Sequence, residues 1–126
     1  MLILSDHYAD NVYSGAALFI EMPSLNREAY MADDAFSALQ SMLMRNPLSG
    51  EMMQGTGGLR KARISDGRRH KGRRGGLRLI YYWWLEQRQF WLFSLYDKNT
   101  QDDLTSLQGR QLRQMLYAEL KLRKTP

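Results

Sequence analysis

Apolar positions along this chain change their spacing several times, and each change marks a predicted element. Residues 1–16 show no sustained period and read as a loose N-terminal extension. Ala17–Met22 (ALFIEM) is a short apolar run ended by Pro23, which predicts a first strand. From Asp33 or Asp34, both suited to capping, the spacing turns helical. Phe36, Leu39 and Leu43 recur at i, i+3 and i+7, and Asn46-Pro47 stops the run. A helical turn within Leu25–Met31 would precede this helix. LSGEMMQGTGG reads as glycine-punctuated loop. Period two then returns in Leu59–Ile64, with Leu59, Lys61 and Arg63 on one face and Arg60, Ala62 and Ile64 on the other. After a basic loop over 65–76, Leu77–Leu85 is almost continuously apolar, with β-branched and aromatic residues, the pattern of a central strand. EQRQ turns the chain into Phe90–Tyr96 as a hairpin partner. Asp102 and Asp103 are expected to precede and cap a last helix. Thr105 and Gln108 have the spacing of a capping box, and Leu112, Met115, Leu116 and Leu120 form one stripe.

The order β, α, β, β, β, α predicts an α+β domain over residues 17–126. It would hold a mostly antiparallel sheet of about four strands, N-terminal helices and a C-terminal helix, with the helices on one face.

Composition adds constraints. At 126 residues, 44% apolar and with fourteen aromatics, the chain is sized for one packed core. It has no cysteine, which excludes disulfides and thiolate metal sites and fits a reducing compartment. No apolar run approaches membrane-spanning length, and the opening MLIL lacks the basic flank of a signal peptide. A soluble cytoplasmic protein without a membrane partner is expected.

Charge changes the picture most. Residues 1–57 carry two basic and seven acidic side chains, whereas residues 60–78 carry nine basic and one acidic. Half of the 18 lysines and arginines therefore lie in one short stretch, an anion footprint more telling than the net charge of +5.

Several candidate chemistries fall away. GTGG and RRGG do not match a phosphate-binding P-loop and read as turns, so no nucleotide cofactor is implied. His7 and His70 have no second ligand at metal spacing, so no metal site is expected. His70 reads as a solvated loop residue or a general acid–base. The aromatic runs Tyr81–Trp84 and Phe90–Phe93 read mainly as core rather than as platforms for bases. Lysines and arginines that lie on strands remain, together with Tyr96 and Lys98 at the end of the next strand. Such a set, without metal, suits RNA cleavage by attack of a 2′-hydroxyl on the adjacent phosphate. Fixed cations stabilise the charge that builds on the non-bridging oxygens, and a lysine or tyrosine moves the protons. Whether these groups share a face is not legible from the sequence.

The segments GTGGLRKARI, HKGRRGGLRLIYYWW, FWLFSLYDKN and DDLT, followed by a Leu/Gln/Arg-rich helix, resemble the RelE/ParE superfamily of bacterial type II toxin–antitoxin modules. The likeness, over Ala17 to Lys124, is to its HigB-like, RelE-type branch. It implies a compact microbial RNase-like fold and ribosome-dependent mRNA cleavage in the decoding site, as an mRNA interferase that stops translation. It also implies a bacterial cytoplasmic location and a cognate antitoxin, a small helix-turn-helix protein. In this resemblance the family's two basic residues on the second strand fall on Lys61 and Arg63, with Arg in place of a second Lys. The arginine opening the next strand falls on Arg78, and the basic residue after the last strand on Lys98. The family's C-terminal tyrosine has no counterpart in register, since Leu104 stands near that position, and Tyr96 is its candidate replacement. Arg63, which does not titrate, would stabilise charge while Lys61 or Lys71 moves the proton. Arg60, Arg69, His70, Lys71, Arg73 and Arg74 would contact RNA backbone. Two other functions fit a basic α+β domain: a ParE-like inhibitor of DNA gyrase without nuclease activity, and a non-catalytic nucleic-acid-binding module.

Overall fold

Local signals and tertiary pairing agree over most of the chain. The computed structural model describes residues 17–64, 76–101 and 103–124; the extension 1–16 lies outside them. The strands are β1 (Leu18–Glu21), β2 (Glu51–Met52), β3 (Arg60–Ile64), β4 (Leu77–Trp84) and β5 (Gln89–Asp97). A 3-10 turn at Arg27–Ala29 and helix α1 (Asp33–Arg45) lie between β1 and β2, and helix α2 (Ser106–Lys124) follows β5. The sheet runs β1-β5-β4-β3-β2, antiparallel except where β1 lies parallel to β5. The expected α+β class holds, with five strands instead of four. The extra one, β2, is two residues paired through backbone to Arg60 and Lys61, too short to leave a period in the sequence.

The sequence pattern predicts both helices on one face, but they lie on opposite faces of the sheet. Phe36, Leu39 and Leu43 of α1 pack on Phe19, Ala62, Ile64, Leu77, Leu79, Tyr81 and Leu95. Leu112 and Leu116 of α2 pack on the opposite face, against Ile20, Leu59, Ile80, Trp91 and Phe93. A central strand buried on both faces has no polar side to show, which is why Leu77–Trp84 lacks alternation. It also settles the aromatic runs. Tyr81, Phe90 and Trp91 are fully buried, and Trp84 stacks edge-on against Trp91 at 5.3 Å. Each such side chain contributes about 1.5–3 kcal/mol by leaving water.

The α1 start also differs from expectation. Its N-cap is Ala32, in extended conformation and without a side-chain bond, while Asp33 and Asp34 sit in the first turn. There they favour the positive helix end. Asp33 accepts from Arg27 at 3.0 Å, and the same guanidinium reaches Glu21 and lies over the Phe36 ring. One arginine thus ties β1, the 3-10 turn and α1 together. The helix ends at Asn46, as Pro47 requires. For α2 the capping box forms as read: Thr105 Oγ1 accepts from the Gln108 amide, and Gln108 Oε1 accepts from the Thr105 amide. The glycine loop before β3 is a packed turn. Gly57 has φ 81°, and a Cβ there would lie 2.5 Å from the Tyr117 ring of α2.

Candidate active site

Backbone register brings the strand-borne cations together. Across β3 and β4, Lys61 stands beside Ile80 and Arg63 beside Arg78; across β4 and β5, Arg78 stands beside Tyr96. Because Ile80 faces α2, Lys61, Arg63 and Arg78 share the α2 face of the sheet.

Tyr96 reaches that face only through an irregularity. Trp91 and Phe93 face α2, so strict alternation would send Leu95 there and turn Tyr96 to α1. The pairing slips instead. Ile80 stands opposite Ser94 and Tyr81 opposite Leu92, which leaves Phe93 as an extra residue on β5. Beyond the bulge the phase is reversed: Leu95 joins the α1 core and Tyr96 the α2 core. One inserted residue therefore places the phenol in the row of Arg63 and Arg78.

Lys61, Arg63, Arg78 and Lys98 line a cleft of about 510 Å³, with Glu51 and Asp103 as its acidic members. Arg78 is buried at 9% exposure and Arg63 is exposed. The Lys98 amide donates to the Gly76 carbonyl, which joins the end of β5 to the entry of β4. Beyond Lys61 and Asp103 lies a second depression of about 460 Å³, bordered by Met53, Gly55, Arg110 and Arg113.

Tyr96 and Asp103 meet at this site. Tyr96 is 5% exposed, and its hydroxyl donates to Asp103 Oδ1 at 3.3 Å. Burial, then the Asp103 charge and its hydrogen bond, push the phenol up to about 12, with Arg78 opposing. Asp103 was expected to cap the last helix, but Thr105 does so. Asp103 Oδ1 accepts instead from its neighbour's Leu104 amide at 2.8 Å and from Lys61 Nζ at 3.1 Å. The Leu104 amide and the Lys61 ammonium hold this carboxyl below its ordinary range. In the sequence, an aspartate just before Thr-Ser reads as a cap; its link to Lys61, 42 positions away, leaves no local signal.

Arg60 is not brought into the set. It points to the other face, where its guanidinium donates to the Gly50 carbonyl at 2.7 Å and holds the loop after α1. Arg69, His70, Lys71, Arg73 and Arg74 lie outside the described residues. Among the described residues, no three His, Asp or Glu side chains are grouped to hold a metal ion, and no helix is long and apolar enough to cross a membrane. The cleft can hold a phosphodiester among three or four cations, with an ammonium and a phenol joined by one carboxylate at its wall.

No protein-family model matches the chain. Among solved structures it is similar to an arginine-to-alanine double mutant of the E. coli toxin RelE in the free state. The identity is 14% and the TM-score 0.46, with 69% of this chain and 88% of that chain covered.

Proposed function

We propose that the protein is the toxin of a type II toxin–antitoxin pair, a metal-independent endoribonuclease that cleaves mRNA in the ribosomal decoding site. The observation that carries this reading is the gathering of Lys61, Arg63 and Arg78 on one sheet face, around a cleft that Lys98 also lines. The motif resemblance adds the ribosome and the substrate class.

In this reading the 2′-hydroxyl oxygen attacks the adjacent phosphorus and the bond to the 5′-oxygen breaks, leaving a 2′,3′-cyclic phosphate and a 5′-hydroxyl. Arg63 and Arg78 hold the negative charge that builds on the non-bridging oxygens. Both guanidiniums act as fixed charges. Lys61, paired as an ammonium with Asp103, gives its proton to the leaving 5′-oxygen. Lys98 is the other cleft amine and has no anionic partner among the described residues; when neutral, it takes the proton of the 2′-hydroxyl. Tyr96 keeps its proton at neutral pH, and its buried ring acts from behind through Asp103. Arg69, His70, Lys71, Arg73 and Arg74 add contacts to RNA backbone, cleavage takes place in the bacterial cytoplasm, and a small helix-turn-helix antitoxin neutralises the toxin.

The test is to add the purified protein to a translating bacterial extract and map mRNA ends. Cuts in register with codons, absent on naked RNA, support the reading. Intact mRNA together with inhibited DNA supercoiling would replace it with gyrase inhibition.

A further inference from the structure

One carboxylate oxygen at the cleft wall is shared by a lysine, a tyrosine and a backbone amide. We propose that Asp103 is a positioning residue of the site, which holds the Lys61 ammonium at the cleft wall with Tyr96 as its brace. The proposal rests on the nuclease reading, since Lys61 is the group it positions.

The geometry is specific. Asp103 Oδ1 is fixed by the Leu104 amide at 2.8 Å, directly before the capped start of α2. It then accepts from Lys61 Nζ of β3 at 3.1 Å and from Tyr96 Oη of β5 at 3.3 Å. Three segments of chain therefore meet on one atom: the β3 strand, the end of β5 and the approach to α2. The lysine stem is flexible, and a free ammonium on four methylenes samples many rotamers. An anion held by rigid backbone restricts it to one direction. Tyr96 is braced in turn, because its ring is packed in the α2 core and only its hydroxyl reaches out.

Asp103 itself is more exposed than the groups it joins, with its side chain 63% accessible against 25% for Lys61. An exposed ion pair of this kind contributes little to stability. Its removal is therefore expected to leave the fold intact, and a structural role predicts almost nothing. A positioning role predicts a selective loss. The groups that face this carboxylate are Lys61 from β3 and Tyr96 from β5, with Arg78 of β4, the cross-strand neighbour of Tyr96, also acting on the phenol.

Asp103→Asn keeps an oxygen for all three donors and removes only the charge. In the ribosome-programmed cleavage assay it should lower kcat about 100-fold, at the lower end of what a positioned proton carrier contributes, with KM changed less than about threefold. In a Lys61→Ala background the same substitution should have no further effect, because the residue acts through the lysine. A readout independent of activity is the Tyr96 phenol, followed by NMR in tyrosine-labelled protein and assigned with Tyr96→Phe. It should titrate near 12 in the parent and move toward the ordinary value of about 10 in Asp103→Asn. Tyr96→Phe should slow cleavage several-fold, less than Asp103→Asn, and shows whether the brace matters if the asparagine variant folds poorly. The proposal is overturned if Asp103→Asn cleaves within about twofold of the parent, if it costs as much without Lys61 as with it, or if the Tyr96 titration is unmoved. A parent protein that cuts no mRNA on ribosomes overturns the nuclease reading itself, and the proposal with it. An active parent with an indifferent Asp103 overturns the proposal alone.

Discussion

The two faces of the β3–β5 sheet are built from alternate residues of the same three strands, yet they do opposite things. On the α1 face Ala62, Ile64, Leu77, Leu79 and Leu95 are sealed beneath Phe36, Leu39 and Leu43. On the other face, at the neighbouring positions, stand Lys61, Arg63, Arg78 and Tyr96, and a cleft opens over the cations. Core and site are therefore separated by a single step along the backbone. What keeps them apart is register, and at β5 the register depends on the bulge at Phe93.

The largest expected effect tests that dependence. Inserting one alanine between Ser94 and Leu95 should reverse the phase beyond the bulge, turn Leu95 toward the cations and drive Tyr96 into the α1 core. A loss above about 4 kcal/mol, measured by urea unfolding, is expected, enough to leave much of the protein unfolded or aggregated. A stable, active insertion variant would break the comparison. Leu43→Ala comes next. It should cost about 2–5 kcal/mol through the cavity it leaves on the sealed face, while cleavage per folded molecule stays unchanged. The two arginines of β3 sharpen the contrast further. Arg60→Ala should cost about 1 kcal/mol by freeing the Gly50 carbonyl and leave cleavage alone. Arg63→Ala should change stability by less than about 0.5 kcal/mol and reduce cleavage about 100-fold. Equal effects of the two on cleavage would mean that the faces are not functionally distinct.

The smallest effect is on pH dependence. The folded Tyr96 phenol loses its proton near 12 and an unfolded one near 10. Its contribution to stability is complete below pH about 10 and is lost as pH rises through 12. Tyr96→Phe should flatten that alkaline limb in a pH series of thermal melts.

Much of this was legible because local pattern and tertiary structure coincide. The α1 stripe, the α2 capping box and the apolar β4 run each lie within one element and are set by its own periodicity. Placing Lys61 and Arg63 on a strand also followed from period two, and placing Arg78 on the next followed from its continuous apolar run. The remainder is relational. The two residues of β2 pair through backbone and need no pattern, and α2 crossing to the second face depends on a connection rather than a motif. The slip at Phe93 arises from pairing with β4, so nothing within FWLFSLY announces it. Asp103 resembled a cap because caps and ion pairs draw on the same residue type; only the fold brings Lys61 to it.

The most direct test of the site is Lys61→Ala combined with Arg78→Ala, added to a translating extract beside the parent protein, with mRNA ends mapped by primer extension. The account predicts codon-positioned cuts from the parent and a loss of about 1000-fold or more from the double variant, in a protein that keeps the parent's circular dichroism spectrum. Equal cutting by the two proteins, or no cutting by the parent, would contradict it.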